Sequence, residues 1–462
     1  MDAAGNAYVT GTLTEASYPL TVTPPNIYTG YLSKLDPAGA NLLFSIPFGG
    51  AGVQLDSSGA VYAGGTASSF TQLFTPGPNP PPGLPSVFSW LPQVCLPNNI
   101  TAMSGAYEIK VDAATGNIQD GQWIDGSAPS ATGIVRAGGK VWVTGAAMAP
   151  DVPFSPGVLI PFAPVSLKPG FLQGGWLAAA DFTAGPATGP AIACVLDAGN
   201  LSHVGAVTGF QLISILGANL GPATGVAAPD GTDPLIAGVS VTFDGNNPAQ
   251  LLYVSATQIN LAVPLPLPSR EVASWPTETV MRLNVNGATI DRQFPYTLNN
   301  LNLFANLLAG QSACGGASPG NQGYQPVANN ADGRPNSCAN PAPAGSTVSF
   351  YMHGIGAIQL GFGPAPQILG LMATVGYCSA QVTSATLIGE FVYQVDVTMP
   401  TSPSACTGVP GTSAKYQLPA TFYYNGEIVG SIVGPFVVPS PGALSVGFAP
   451  GVPMAMMVYV KP

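Results

Sequence analysis

His203 and His353 are the only imidazoles in this chain of 462 residues. Histidine is the usual general base and a common metal ligand near neutral pH. A catalytic triad needs it beside a nucleophile and an acid, and a metal site needs further ligands. The two stand on segments that read as different domains. His353 falls in a strand ahead of Gly354, which suits a half-buried structural histidine. His203 follows a junction and is expected at the surface. Acids offer a second chemistry. Asp120 and Asp125 flank Trp123, and two carboxylates beside an aromatic could hydrolyse a glycosidic bond. A plainer role fits better, because the matching Asp36 and Asp112 stand in turns, where Asp accepts backbone amides. Asp2 and Asp56 read the same way.

Oxygen ligands cluster in NNADGRPNS (329–337), where Asn330, Asp332 and Asn336 form a weak calcium candidate. The bidentate acid that closes an EF-hand is missing, and Cys338 follows directly, so a disulfide-tied turn is the simpler expectation. No cofactor is expected: the Gly clusters precede strands, whereas phosphate and dinucleotide loops open helices. Trp90 and Trp123 are speculative ligand contacts, as aromatics on which a sugar could stack. Trp142 and Trp176 fall in register with Tyr8 and Tyr31, which favours core packing. Asn99 and Asn200 fit the glycosylation sequon.

The chain has six cysteines and no CxxC pair. Cys314–Cys338 and Cys378–Cys406 are the favoured pairings, since each closes a short loop, and Cys95–Cys194 would remain. Spacing alone does not fix connectivity, and buried free thiols are the alternative. An even count in a Lys-poor chain suggests an oxidising compartment. Charged residues are 7% of the chain, against roughly 25% in ordinary domains. With 58 Gly and 48 Pro, this excludes coiled coils and helical bundles and leaves a loop-rich, all-β protein. Eleven basic residues and a net charge of −10 argue against nucleic acid and anionic membrane surfaces as partners. No apolar run is long enough for a transmembrane helix. No signal peptide is visible, and Met1 runs directly into a repeat, so the N-terminus is expected to be incomplete.

The elements that would position these residues repeat. DAAGNAYVTGT (2–12), LDSSGAVYAGGT (55–66) and RAGGKVWVTGA (136–146) align on Gly5, Gly59 and Gly139, on Tyr8, Tyr62 and Trp142, and on Gly11, Gly65 and Gly145. Arg136 stands where Asp2 and Asp56 stand. A second unit alternates with the first, at 30–50, 106–126 and, eroded, 175–185. One copy of each supplies about four strands, as in a propeller blade. These segments, and "LSKLDPAGANLLFS" (32–45) above all, resemble the bacterial SBBP family of β-propeller repeats. The resemblance implies about three blades over residues 1–190, where closed propellers have four to eight.

Near residue 190 the pattern changes. TGFQLISILGANLGP (208–222) and GVSVTFDGNNPAQLLYVSATQINLAVP (238–264) read as strands with DG and GNNP turns. AGSTVSFYMHGIG (344–356) and VYQVDVTMP (392–400) repeat parts of them at an offset of about 136 residues. Two copies of one β-sandwich, 191–301 and 302–462, are expected. With NNADGRPNSCANPAPAGSTVSFYMHGIG, these segments resemble the uncharacterised C-terminal family of Solibacter-type proteins. That resemblance implies two immunoglobulin-like (IPT/TIG-type) folds and no assigned activity. The expectation is therefore an all-β, non-enzymatic exported or cell-surface protein for scaffolding, adhesion or ligand presentation. Its partners would be extracellular polysaccharide or cell-surface proteins, with self-association through an open propeller edge. A carbohydrate-binding protein is the alternative, and a propeller-type hydrolase or lyase ranks last.

Overall fold

The computed structural model describes residues 1–12, 18–21, 30–67, 105–124, 129–147, 174–182, 189–201, 204–265, 277–296, 300–306, 325–354, 360–361, 367–368, 370–407, 416–424, 427–429, 432–433, 436–437, 448–449, 453–454 and 456–461. The fold is all-β, with one 3-10 turn at Pro403–Cys406 and no α-helix among the described residues. The chain divides into two compact units. One is Met1–Cys194 with Leu216–Asn219, and the other is Val195–Ile215 with Leu220–Pro462.

Among its described residues the first unit holds three antiparallel sheets, each a meander. The first is β1 (Ala7–Thr12), β2 (Gly30–Leu35) and β3 (Leu42–Ile46). The second is β4 (Gly50–Leu55), β5 (Val61–Ala67), β6 (Gly105–Val111) and β7 (Ile118–Ile124). The third is β8 (Pro129–Ala137), β9 (Lys140–Ala147) and β10 (Gly174–Ala180). The repeated glycines have a packing cause. A Cβ at Gly11 would strike the Tyr31 ring, one at Gly65 would strike Tyr107, and one at Gly145 would strike Trp176. In each sheet an aromatic lies flat across a glycine on the neighbouring strand, which covers the backbone that glycine leaves bare.

The sheets stack. Leu32, Phe44 and Ile46 of the first sheet form one core with Val61, Ala63, Tyr107, Ile109 and Val111 of the second. Ala106 and Ile124, on the second sheet's other face, pack with Val143 and Trp176 of the third. The alternation of buried side chains follows from the period-two geometry of strands.

Next along the chain, β11 (Ala191–Asp197) and β12 (Leu212–Ala218) begin a five-stranded sheet that continues through Gln258–Ala262, Gln250–Val254 and Val226–Ala227. A four-stranded sheet is built on Val239–Phe243, Thr277–Val285 and Ala288–Tyr296. Its hairpin turns on Asn286–Gly287, with φ of 50° and 93°, the pair that a primed turn requires. The DG turn at Asp244–Gly245 likewise takes positive φ at both residues. Downstream, twelve strands join in one sheet around Val348, Phe350, Val395, Val397 and Phe422. The repeat seen in sequence is visible in the pairing. β12 neighbours Gln258–Ala262, and Thr347–His353 pairs antiparallel with Tyr393–Thr398. The two copies then diverge. The first divides its strands between two sheets, while the long strand Cys378–Leu387 pairs on both sides and carries the second on as one.

Candidate functional site

The most site-like constellation lies in the second unit. His353 ends the strand Thr347–His353 and is 0% exposed. The Leu212 amide donates to its Nδ1 at 3.1 Å, which places the ring proton on Nε2. Nε2 then donates to Asp197 Oδ1 at 3.0 Å, across 156 residues of sequence. Asp197 is equally buried, and its carboxylate also accepts from the Gly199 and Asn200 amides, Gln211 Nε2 and Asn302 Nδ2. Asn200 Nδ2 closes the network on Asn302 Oδ1 at 3.3 Å. The Phe304 ring covers the imidazole, with centroids 5.0 Å apart.

An acid and a histidine thus meet, but neither has capacity left for a reactant. A triad histidine must turn one nitrogen to a nucleophile, and here the backbone amide of Leu212 holds that nitrogen. The arrangement satisfies buried polar groups and ties together segments on either side of residue 301. His353 is therefore wholly buried, beyond the half-burial its strand position implied. Asn200 is 1% exposed, so its sequon is closed in the folded chain. His203 lies outside the described residues. So does a Gly-x-Ser-x-Gly run at 316–320, in which Pro319 follows the serine and offers no N–H to an oxyanion.

The repeat acids fold turns. Asp2 Oδ1 accepts the Ala4 and Asn6 amides, and Asp56 Oδ1 accepts those of Ser58 and Ala60. Asp36 and Asp112 cap their turns in the same way. Burial raises the Asp56 carboxyl, but the Ser58 hydroxyl and the two amides outweigh it and hold it at about 2. The Asp2 and Asp56 turns each also pair with a cation lying over a tyrosine. Lys34 sits 3.4 Å from Asp2 and over Tyr8, within one sheet. Arg136 sits 3.7 Å from Asp56 and over Tyr62, and comes from the next sheet. The third copy's exchange of aspartate for arginine is thereby explained: Arg136 completes the turn of the second copy.

That pair is long and Arg136 is 31% exposed, so Arg136→Ala is expected to cost under about 1 kcal/mol, and less in high salt. Arg136→Asp is expected to cost more, since two carboxylates would then face each other. Urea unfolding of both variants in low and high salt checks this, and equal losses would show that charge is not the cause.

One side chain breaks the pattern of satisfied polar groups. Glu108 on β6 is 0% exposed, and neither carboxylate oxygen has a hydrogen-bond partner among the described residues. Burial alone pushes it up to about 8. It faces the third sheet, as its cross-strand partner Gly64 does; a Cβ on Gly64 would look onto Ile134 and Val143. Trp176 Nε1, in the same layer, is also buried and unpaired. The sequence marked Trp176 only as a core aromatic and gave no sign of Glu108. The signal was positional: Glu108 stands where the apolar Leu32 stands in the first copy.

The remaining sequence candidates are dispersed. Asn336 Oδ1 accepts from the Tyr459 amide, while Asn336 Nδ2 donates to Asn330 Oδ1 and to the Tyr459 carbonyl. Asp332 Oδ1 accepts the Arg334 amide. These oxygens bind the loop to a strand and do not converge on a point. Among the described residues no three His, Cys, Asp or Glu side chains come together as a metal site would require. Asp120 lies opposite Lys110 on β6, and Asp125 lies outside the described residues. Trp90 also lies outside them. Of Trp123 only the backbone is described, opposite Tyr107. Cys378 and Cys406 form a disulfide. Cys194 and Cys338 are each disulfide-bonded, and Cys95 and Cys314 lie outside the described residues. No family model matches the chain, and no curated protein matches it in sequence.

Proposed function

We propose that this is a non-enzymatic exported or cell-surface protein that serves in scaffolding, adhesion or ligand presentation. In this reading the stacked repeat sheets are a β-propeller-like region, and 191–301 and 302–462 are immunoglobulin-like sandwiches. The observation that carries it is the full engagement of the Asp197–His353 pair: the described histidine has both nitrogens committed to structure. The repeat acids are likewise spent on turns. The Cys378–Cys406 disulfide, with bonded Cys194 and Cys338, supports an oxidising compartment. No helix among the described residues is long and apolar enough to cross a membrane. Polysaccharides and cell-surface proteins are the partners that fit this reading.

Antibody labelling of intact producing cells tests it. Signal without permeabilisation is the expected result, and signal only after permeabilisation would overturn export. A panel of glycoside and ester substrates is expected to show no turnover. Glycan-array hits lost on Trp90→Ala or Trp123→Ala would move the reading to carbohydrate binding.

A further inference from the structure

One polar cluster occurs twice in the second unit. In the first copy of the repeat, Ser214 Oγ and Gln258 Nε2 both donate to Asn260 Oδ1, at 2.9 and 2.8 Å. In the second, Ser349 Oγ and Gln394 Nε2 both donate to Asp396 Oδ1, at 2.6 and 2.9 Å. Gln394 and Asp396 align with Gln258 and Asn260, so the central acceptor has changed from an amide to an acid. Ser384 Oγ, from the next strand, donates to the other Asp396 oxygen at 2.6 Å. Burial raises this carboxyl, but the Ser349, Ser384 and Gln394 donors outweigh it and hold it below the usual carboxylate range. Asp396 is thus an anion answered by neutral donors, with no cation beside it among the described residues.

A flat face surrounds it. Strand register sets Thr347, Thr398 and Gln381 in one row and Ser349, Asp396 and Ser384 in the next. Tyr351, Gln394 and Thr386 make the third. All are half-buried or exposed, while the alternate residues Val348, Phe350, Val395 and Val397 fill the core. Asn329, opposite Ser349, donates to the Tyr351 hydroxyl at 3.0 Å and steadies that ring. The hydroxyls of Thr347, Thr386 and Thr398 bond to no described residue. Val327, two residues before Asn329, is 41% exposed and forms an apolar margin. Charges stand beyond the rows: Asp332 and Arg334 in the turn after Asn330, Glu390 in the turn joining two of the strands, and Lys461 beside Ala344. Those four cancel, which leaves Asp396 as the face's own charge.

We propose that this face binds a neutral polysaccharide. This rests on the polysaccharide-contacting part of the reading above and gives that contact a place. Short Ser and Thr side chains lose little entropy when a ligand fixes them. Hydroxyls and carboxamides both donate and accept, as sugar hydroxyls do, and a carboxylate keeps lone pairs after three donors. Charge selects among polymers: Asp396 and a net charge of −10 repel an anionic one, and a neutral one meets no such cost. A protein partner is favoured by an apolar interface core, and these rows hold a single ring.

Electrophoresis of the full chain through native gels holding galactomannan, xyloglucan or dextran tests this, with alginate as the anionic control. Retardation by at least one neutral polymer, and none by alginate, is expected. Asp396→Ala should weaken it at least tenfold. Thr386→Glu gives a second reading, because it puts bulk and charge on a hydroxyl that holds nothing in the fold. It should abolish retardation with the urea midpoint unchanged. Asn260→Ala, in the first copy's cluster, should leave retardation as it was. No retardation by any neutral polymer would overturn the proposal. So would equal retardation by alginate, retardation that survives Thr386→Glu, or loss on Asn260→Ala or Trp90→Ala instead. None of these outcomes moves the surface-labelling result, so failure here is distinguishable from failure of the export reading.

Discussion

Replacing Glu108 with leucine is expected to stabilise the protein, and most of all in mild alkali. Burial holds the native carboxyl at about 8, from an ordinary value of 4.5. Between those values the folded chain keeps a proton that the unfolded chain has released. The folded state therefore binds more protons, and stability falls as pH rises through this window. A shift of this size corresponds to roughly 4–5 kcal/mol lost from the acidic to the alkaline side. Glu108→Leu removes that slope and also the cost of a buried, unpaired polar group, about 1–3 kcal/mol.

The position accepts leucine, because Leu32 fills its counterpart in the first sheet and is buried there. The groups sharing this layer are Tyr62, Lys110 and Asp120, which form the next cross-strand row, and Arg136 from β8. Glu108→Gln separates the two contributions: it should lose the slope but keep the unpaired group, giving intermediate stability. Urea unfolding at pH 5, 7 and 8.5 reads all three proteins. A leucine variant with the wild-type pH slope would mean that Glu108 is not the titrating group.

Removing His353 is expected to have the opposite effect, of similar size. His353→Ala leaves Asp197 buried without its imidazole donor, leaves the Leu212 amide without an acceptor, and opens a gap beside Phe304. Each buried polar group deprived of a partner costs about 1–3 kcal/mol, and here a carboxylate loses a donor while an amide loses its acceptor. The loss should appear as a lower urea midpoint for the second unit. Because the network joins β11 and β12 to Asn302 and His353, the transition should also broaden as the segments on either side of residue 301 come apart. Gln211→Ala removes only one of five donors to Asp197 and is expected to cost about 1–2 kcal/mol. A His353→Ala loss no larger than that of Gln211→Ala would show that the imidazole is not the keystone of the network.

Much of the local structure was legible in sequence. The Asp-to-Gly turns and the Asp244–Gly245 turn depend on residues a few positions apart, and the repeated strands show as segments that align with one another. The polar chemistry was not legible in the same way. Glu108 sits in a strand of ordinary alternation, and it is buried because the sheet of β8, β9 and β10 closes over it. Arg136 looked like an eroded repeat position until its guanidinium was placed beside Asp56 of another copy. Asp197 and His353 carry no shared motif, and their meeting across 156 residues is a property of how β11 and Thr347–His353 are packed.

The sequence by itself determined the all-β class, because scarce charge, abundant glycine and proline, and repeated short strands leave no helical solution. It also determined the turns, whose conformations are set within a few residues. Tertiary structure alone decided which polar groups are satisfied and which faces remain uncovered. Burial and hydrogen bonding are set by neighbours distant in the chain, and period-two alternation names two faces of a strand without saying what will cover either.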